Sequence, residues 1–136
     1  MTSRSDMEQT VRAAYAARVR GDVAAAMTYF TDDAVFCIHG RGTGIPGLCA
    51  PVVGKPAITE AMGQLVAGWR FDDWKEHSLL VDGDKVALHW TARATFTPTN
   101  KSEVLNVFDV ITFRDGKFAD FHQSVDTAML MQLSAA

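Results

Sequence analysis

Near the start of the chain, apolar residues recur at helical spacing. Met7, Val11, Tyr15 and Val19 fall four apart, which predicts a helix over Ser5–Arg20 with one buried face. Gly21 stops it. Asp22 is placed to cap a second helix, Val23–Phe30, whose stripe is Val23, Met27 and Phe30. Thr31-Asp32-Asp33 reads as a turn and Ala34–Ile38 as a short strand. His39–Lys55 breaks every period. It holds Gly40, Gly42, Gly44, Gly47 and Gly54 with Pro46 and Pro51, and reads as a long loop, either a flexible lid or a connection. Pro56 suits the first turn of a third helix, with Ile58, Met62, Leu65, Val66 and Trp69 on its apolar stripe.

After Gly68 the pattern becomes extended. Phe71–Val81 reads as a strand ending in the hairpin signal Asp82-Gly83-Asp84. Lys85–Thr97 alternates cleanly. Val86, Leu88, Trp90, Ala92, Ala94 and Phe96 point one way; Ala87, His89, Thr91, Arg93 and Thr95 point the other. Ser102–Phe113 and Phe118–Val125 are further strands, joined by Arg114-Asp115-Gly116-Lys117, and Asp126 caps a closing helix, Thr127–Leu133. Helices first, then a run of antiparallel strands, is the α+β pattern: a curved, mainly antiparallel sheet with the helices gathered on one face. Such a sheet makes a cone around a pocket.

Composition narrows the partners. The 136 residues suit a single domain, and 48% hydrophobic content supplies a core without a metal or disulfide staple. Thirteen basic against 16 acidic residues give a net charge of −3, which argues against nucleic acid. No apolar run is long enough to span a bilayer, and the N-terminus lacks the apolar stretch of a signal peptide, so no membrane partner and a cytoplasmic location are expected. Cys37 and Cys49 form no CxxC pair and are expected as reduced thiols. His39, His77 and His122 show no ligand spacing with a third donor, so no metal site is expected.

Several segments are recognisable in this order: Gly21-Asp22-Val23, Phe30-Thr31-Asp32-Asp33-Ala34-Val35, Val53-Gly54-Lys55-Pro56-Ala57-Ile58, Asp82-Gly83-Asp84-Lys85-Val86-Ala87, and Phe108 through Lys117. Together they resemble the NTF2-like superfamily, in its SnoaL-like and ketosteroid-isomerase-like branch, over about residues 7 to 130. The resemblance implies a cystatin-like cone that dimerises through its sheet face. It also implies cofactor-free proton-transfer chemistry (isomerisation, cyclisation or dehydration) on a small apolar or aromatic molecule. A non-catalytic ligand-binding or structural dimer domain is the alternative.

Carried over by position, the isomerases' carboxylate base falls on Ile38, which cannot abstract a proton; His39 is the nearest substitute. The aromatic hydroxyl position falls on Ala14, with Tyr15 one residue away, toward the pocket rim. Asp109 matches the isomerases' hydrogen-bonding acid, and burial among Val107, Phe108 and Ile111 should raise its pKa. The same counting puts His89, Thr91 and Arg93 on the pocket side, so that His89 and Asp109 form the catalytic pair and Arg93 either pairs with Asp109 or anchors an anionic substrate. A phase shift of one would instead put Trp90 in the pocket. The implied lining comprises Tyr15, Ile38, Trp69, Thr91, Arg93, Val107, Ile111, Phe121, Gln123 and Val125. Asp126 matches an acid of epoxide-hydrolase-like relatives but serves as the helix cap.

Overall fold

A computed structural model of the chain describes residues 2–135. Helices α1 (Arg4–Val19) and α2 (Val23–Met27) are followed by β1 (Phe30–His39), a two-residue β2 (Val52–Val53) and α3 (Lys55–Gly68). Strands β3 (Trp69–Asp82), β4 (Lys85–Phe96), β5 (Lys101–Arg114) and β6 (Lys117–Val125) come next, and α4 (Thr127–Ser134) closes the chain. Local chemistry sets the boundaries. Ser3, Asp22 and Asp126 each accept a backbone N–H three residues on, capping α1, α2 and α4. Pro56 sits in the first turn of α3. Asp115 and Gly116 both have positive φ (54° and 77°), as the tight β5–β6 hairpin demands.

The six strands form one curved, open sheet in the order β2-β1-β6-β5-β4-β3. Pairing is antiparallel except between β1 and β6, which run parallel. The α+β expectation therefore holds, with one parallel seam near the middle. Two boundaries differ from the sequence reading by more than a residue. Phe30 belongs to β1, not α2, because it pairs with Phe118 of β6; a register shift between Phe30 and Val35 absorbs the expected Thr31–Asp33 turn. The third strand begins at Trp69, paired with Phe96.

The helices cover one face of the sheet. Arg12 on α1 grips Glu76 on β3 with two hydrogen bonds of 3.0 and 3.1 Å. Side chains alternate across the strands, so the helix-facing set includes Phe36 and Ile38, Leu88 and Trp90, Val107, Asp109 and Ile111, and Phe121. The opposite face is open. Leu80, Phe108 and Val110 lie on it, 63%, 53% and 49% exposed.

The glycine-rich segment is pinned to β1. Ile38 N–H donates to Gly47 O (2.9 Å), and Cys49 N–H donates to Ile38 O (3.2 Å). Ile45 and Leu48 are buried in the core. Gly47 has φ +83°, and a Cβ there would stand 2.9 Å from the Phe36 ring. Only glycine lets the segment lie so close to that ring.

Candidate functional site

Between helices and sheet lies a cavity of about 90 Å³. Its wall is almost wholly apolar. Phe30 and Phe36, Ile45 of the glycine-rich segment, Met62 and Leu65 of α3, and Leu130 of α4 contribute to it. The volume is about three waters' worth, and below the ~150 Å³ of an apolar cavity that accepts benzene. A ring-sized ligand therefore requires side chains such as Ile45 or Leu130 to yield.

The polar groups converge on Asp109, which is 1% exposed. Tyr15 Oη–H donates to its Oδ2. Trp90 Nε1–H donates to the same oxygen at 2.9 Å, and Gln123 Nε2–H donates to Oδ1 at 3.1 Å. Trp90 and Gln123 also reach Tyr15 Oη, at 3.1 and 3.4 Å. Register explains the convergence: Leu88 and Gln123 flank Asp109 across the two neighbouring strands, and Trp90 is the inward diagonal neighbour. Burial pushes the Asp109 carboxyl up to about 6, against the three donors, which favour its anion. Burial and the adjacent Asp109 charge push the Tyr15 phenol well above its ordinary value.

Tyr15, Trp90 and Gln123 line the cavity, whereas Asp109 stands behind them. Tyr15 is thus part of the wall, not its rim, and its ring packs on Trp74 (centroids 5.2 Å apart) and Trp90 (5.0 Å). A second polar group was missed in the sequence reading. Arg18 lines the cavity, and its guanidinium donates to the carbonyls of Leu65 (3.3 Å) and Trp69 (2.8 Å) and lies 4.0 Å over the Phe71 ring. Burial lowers its pKa to about 10, so it stays a cation at neutral pH. The carbonyls that hold it belong to the C-terminal end of α3, which favours positive charge.

Of the expected lining, Tyr15, Ile38, Trp69, Val107, Phe121, Gln123 and Val125 face the cavity. Ile111 is fully buried on the same side of β5, deeper in the core. His89, Thr91 and Arg93 do not face it. The apolar side of β4 turns inward, so Trp90 occupies the pocket and its odd-numbered neighbours face outward. His89 pairs with Phe108 across the strands, stacks on that ring (4.3 Å) and bonds Asn106. Thr91 bonds His77 at 2.8 Å, and exposed Arg93 reaches Ser102 at 3.5 Å. The expected His89–Asp109 pair is not formed, because the two side chains lie on opposite faces of the sheet. The position expected of Arg93, a cation on the pocket wall, is taken by Arg18.

His39 does not replace the missing base at Ile38. The β1–β6 register runs unbroken from Val35 to His39, so His39 turns outward while Ile38 faces the cavity. There Cys37, His39 and His122 converge, with ligand atoms all within 4.8 Å of one another. The expectation that no third donor joins these histidines fails because parallel pairing sets Cys37 beside His122.

The helices packed in a curved, open α+β sheet are the architecture of NTF2-like proteins. The family model of the SnoaL-like domain matches residues 11–121, and the chain belongs to that family. No curated protein matches it in sequence. Among solved structures, it is similar to an NTF2-like protein of unknown function from Burkholderia pseudomallei, with 23% identity, all of both chains covered and a TM-score of 0.82. It is also similar to TerC co-crystallized with polyporic acid (22% identity, 94% and 97% covered, TM-score 0.79). An LEH-like epoxide hydrolase from M. tuberculosis aligns with 18% identity, 95% and 90% coverage and a TM-score of 0.73. No helix among the described residues is long and apolar enough to cross a membrane.

Proposed function

We propose that this protein catalyses cofactor-free proton transfer on a small, mostly apolar molecule carrying a carbonyl or acidic oxygen. The observation that carries the reading is Tyr15, which lines an apolar cavity and whose hydroxyl is hydrogen-bonded to a buried acid of pKa about 6. Among the described residues no carboxylate lines the cavity, so the base works through the phenol. A substrate C–H proton passes to Tyr15 Oη as the phenol proton passes to Asp109 Oδ2. The C–H electron pair becomes an enolate, whose oxygen is held by Arg18. Two of the five Arg18 N–H donors are committed to Leu65 and Trp69, which leaves others for that oxygen. Return of the proton to another carbon gives isomerisation; loss of a β-leaving group gives dehydration; attack of the enolate on a second carbonyl gives cyclisation. The dry wall strengthens both the Arg18 interaction and the relay. Asp109 is ionised above pH 6, so the rate should rise through that pH and level off.

TerC, a protein of like fold, was co-crystallized with polyporic acid, which supports an acidic small-molecule ligand. A second reading, ligand binding without turnover, is favoured by Ile38 standing where a base is expected. Solvent exchange separates the two. Small enones and hydroxyquinones are incubated with protein in deuterated water, and deuterium uptake at carbon is followed by NMR. Catalysis predicts uptake that falls roughly 10²–10⁴-fold in Tyr15→Phe, the usual worth of a positioned acid–base group. Binding that stabilises the fold with no uptake in any compound supports the second reading.

We also propose that the open sheet face, with Leu80, Phe108 and Val110 at its apolar centre, pairs with a second copy of the chain.

A further inference from the structure

The cavity leaves unused a second group of reactive side chains on the other side of the sheet. Cys37 and His39 point outward from β1, and His122 stands beside Cys37 on β6. Their ligand atoms all lie within 4.8 Å of one another. His39 Nε2 and His122 Nδ1 are 2.8 Å apart in a hydrogen bond, and the two rings stack at 5.0 Å. On its far side, His122 Nε2 meets Asp120 Oδ1 at 2.9 Å. That carboxylate keeps the proton on Nε2 and turns the Nδ1 lone pair toward Cys37 and His39. A carboxylate behind a ligating imidazole is the usual outer support of a metal-bound histidine.

We propose that Cys37, His39 and His122 form a binding site for a zinc-class divalent ion. One thiolate and two imidazoles suit such borderline-soft ions and not magnesium or calcium. Tetrahedral bonds of ordinary length would hold the three donor atoms roughly 3.3–3.6 Å apart. The present cluster reaches that spacing by parting the two ring nitrogens by about half an ångström and drawing the sulfur in. The protons balance. Cys37 gives up its thiol proton to solvent, and His39 moves its ring proton from Nε2 to Nδ1, so one proton leaves per ion bound. Three protein ligands leave a fourth position for water. The ion would clamp β1 to β6 at their parallel seam. Cys49 lies outside the cluster, its thiol turned to Gly40 O at 2.7 Å.

Cobalt(II) is the probe, because a thiolate ligand gives it a charge-transfer band and four-coordination gives intense visible bands. Chelator-treated protein is titrated with Co²⁺, and zinc is then used to displace it. The expected result is one equivalent bound with the thiolate band in the wild-type and Cys49→Ser chains. The band disappears in Cys37→Ser. Binding is lost in His39→Ala, whose exposed side chain makes it the variant safest for folding. Asp120→Asn should keep the band and weaken affinity roughly 10–100-fold. Absence of a thiolate band in the wild type, or unchanged binding in His39→Ala, overturns the proposal. Cavity chemistry plays no part in this test, so Tyr15→Phe should bind the ion like the wild type.

Discussion

Replacing Asp109 with asparagine should flatten one component of the protein's pH-dependent stability. The carboxyl titrates near 6 in the folded chain, against an ordinary 3.8. Between those values the folded state holds the proton that the unfolded state has released, so Asp109 makes folding less favourable as pH rises through the window. The two-unit shift at 1.36 kcal/mol per unit gives a full cost of about 3 kcal/mol above pH 6, absent below pH 3.8. About 2 kcal/mol of it develops between pH 4.5 and 7.5. Asparagine has nearly the same shape. It can accept from Tyr15 and Trp90 through its carbonyl if Gln123 turns its own carbonyl toward the new NH₂ group. Urea unfolding of both chains at several pH values isolates the effect, because all other titrating groups cancel in the difference. Relative to wild type, Asp109→Asn should gain about 2 kcal/mol from pH 4.5 to 7.5. Parallel profiles would mean that Asp109 is as easily ionised as a surface acid, and the predicted rise of the rate through pH 6 would lose its basis.

Arg18→Met should weaken binding of acidic ligands roughly 10- to 100-fold while leaving neutral analogues of the same shape little changed, since a charged hydrogen bond is worth about 1.5–3 kcal/mol; calorimetry on matched ligand pairs checks this, and equal losses for both would remove the anchoring role. Gly47→Ala forces a left-handed conformation and a methyl against the Phe36 ring. It should cost about 1–3 kcal/mol and lower the melting temperature, as thermal unfolding would read. Phe108→Glu, on the open sheet face, should convert a dimer to a monomer in light scattering at matched concentration; a wild type that is already monomeric refutes the proposed pairing.

Much of this architecture was legible in the chain because local signals agreed with it. Capping residues, the Asp-Gly turns and the alternation of Lys85–Phe96 mark element starts that the fold keeps within a residue or two. The site was less legible. The alternation of Lys85–Phe96 left two phases open, and carrying positions over from relatives favoured the one that the fold does not adopt, with Trp90 inward instead of His89. Arg18 shares a face with Val11 and Tyr15 at i+7 and i+3, a spacing that points it inward; its charge reads as solvent-facing until α3 supplies carbonyls to hold it. The Cys37–His39–His122 cluster depends on residues 83 positions apart meeting across a parallel seam, and no local pattern announces such a pairing.

That seam also fixes when the protein can fold. β1 is made early and its parallel partner β6 late, with every other strand synthesised between them. Until β6 arrives, β1 has only the two residues of β2 beside it, and β5 presents an unpaired edge. One side of the cavity is Phe36 and Ile38 on the first strand with Phe121 and Gln123 on the last, so the pocket has no precursor in a nascent chain. Long-range closure of this kind makes folding slow and leaves two sticky edges exposed meanwhile. Chains cut short before Lys117 should aggregate on release from the ribosome, because the strand that joins the two ends of the sheet is the last one made.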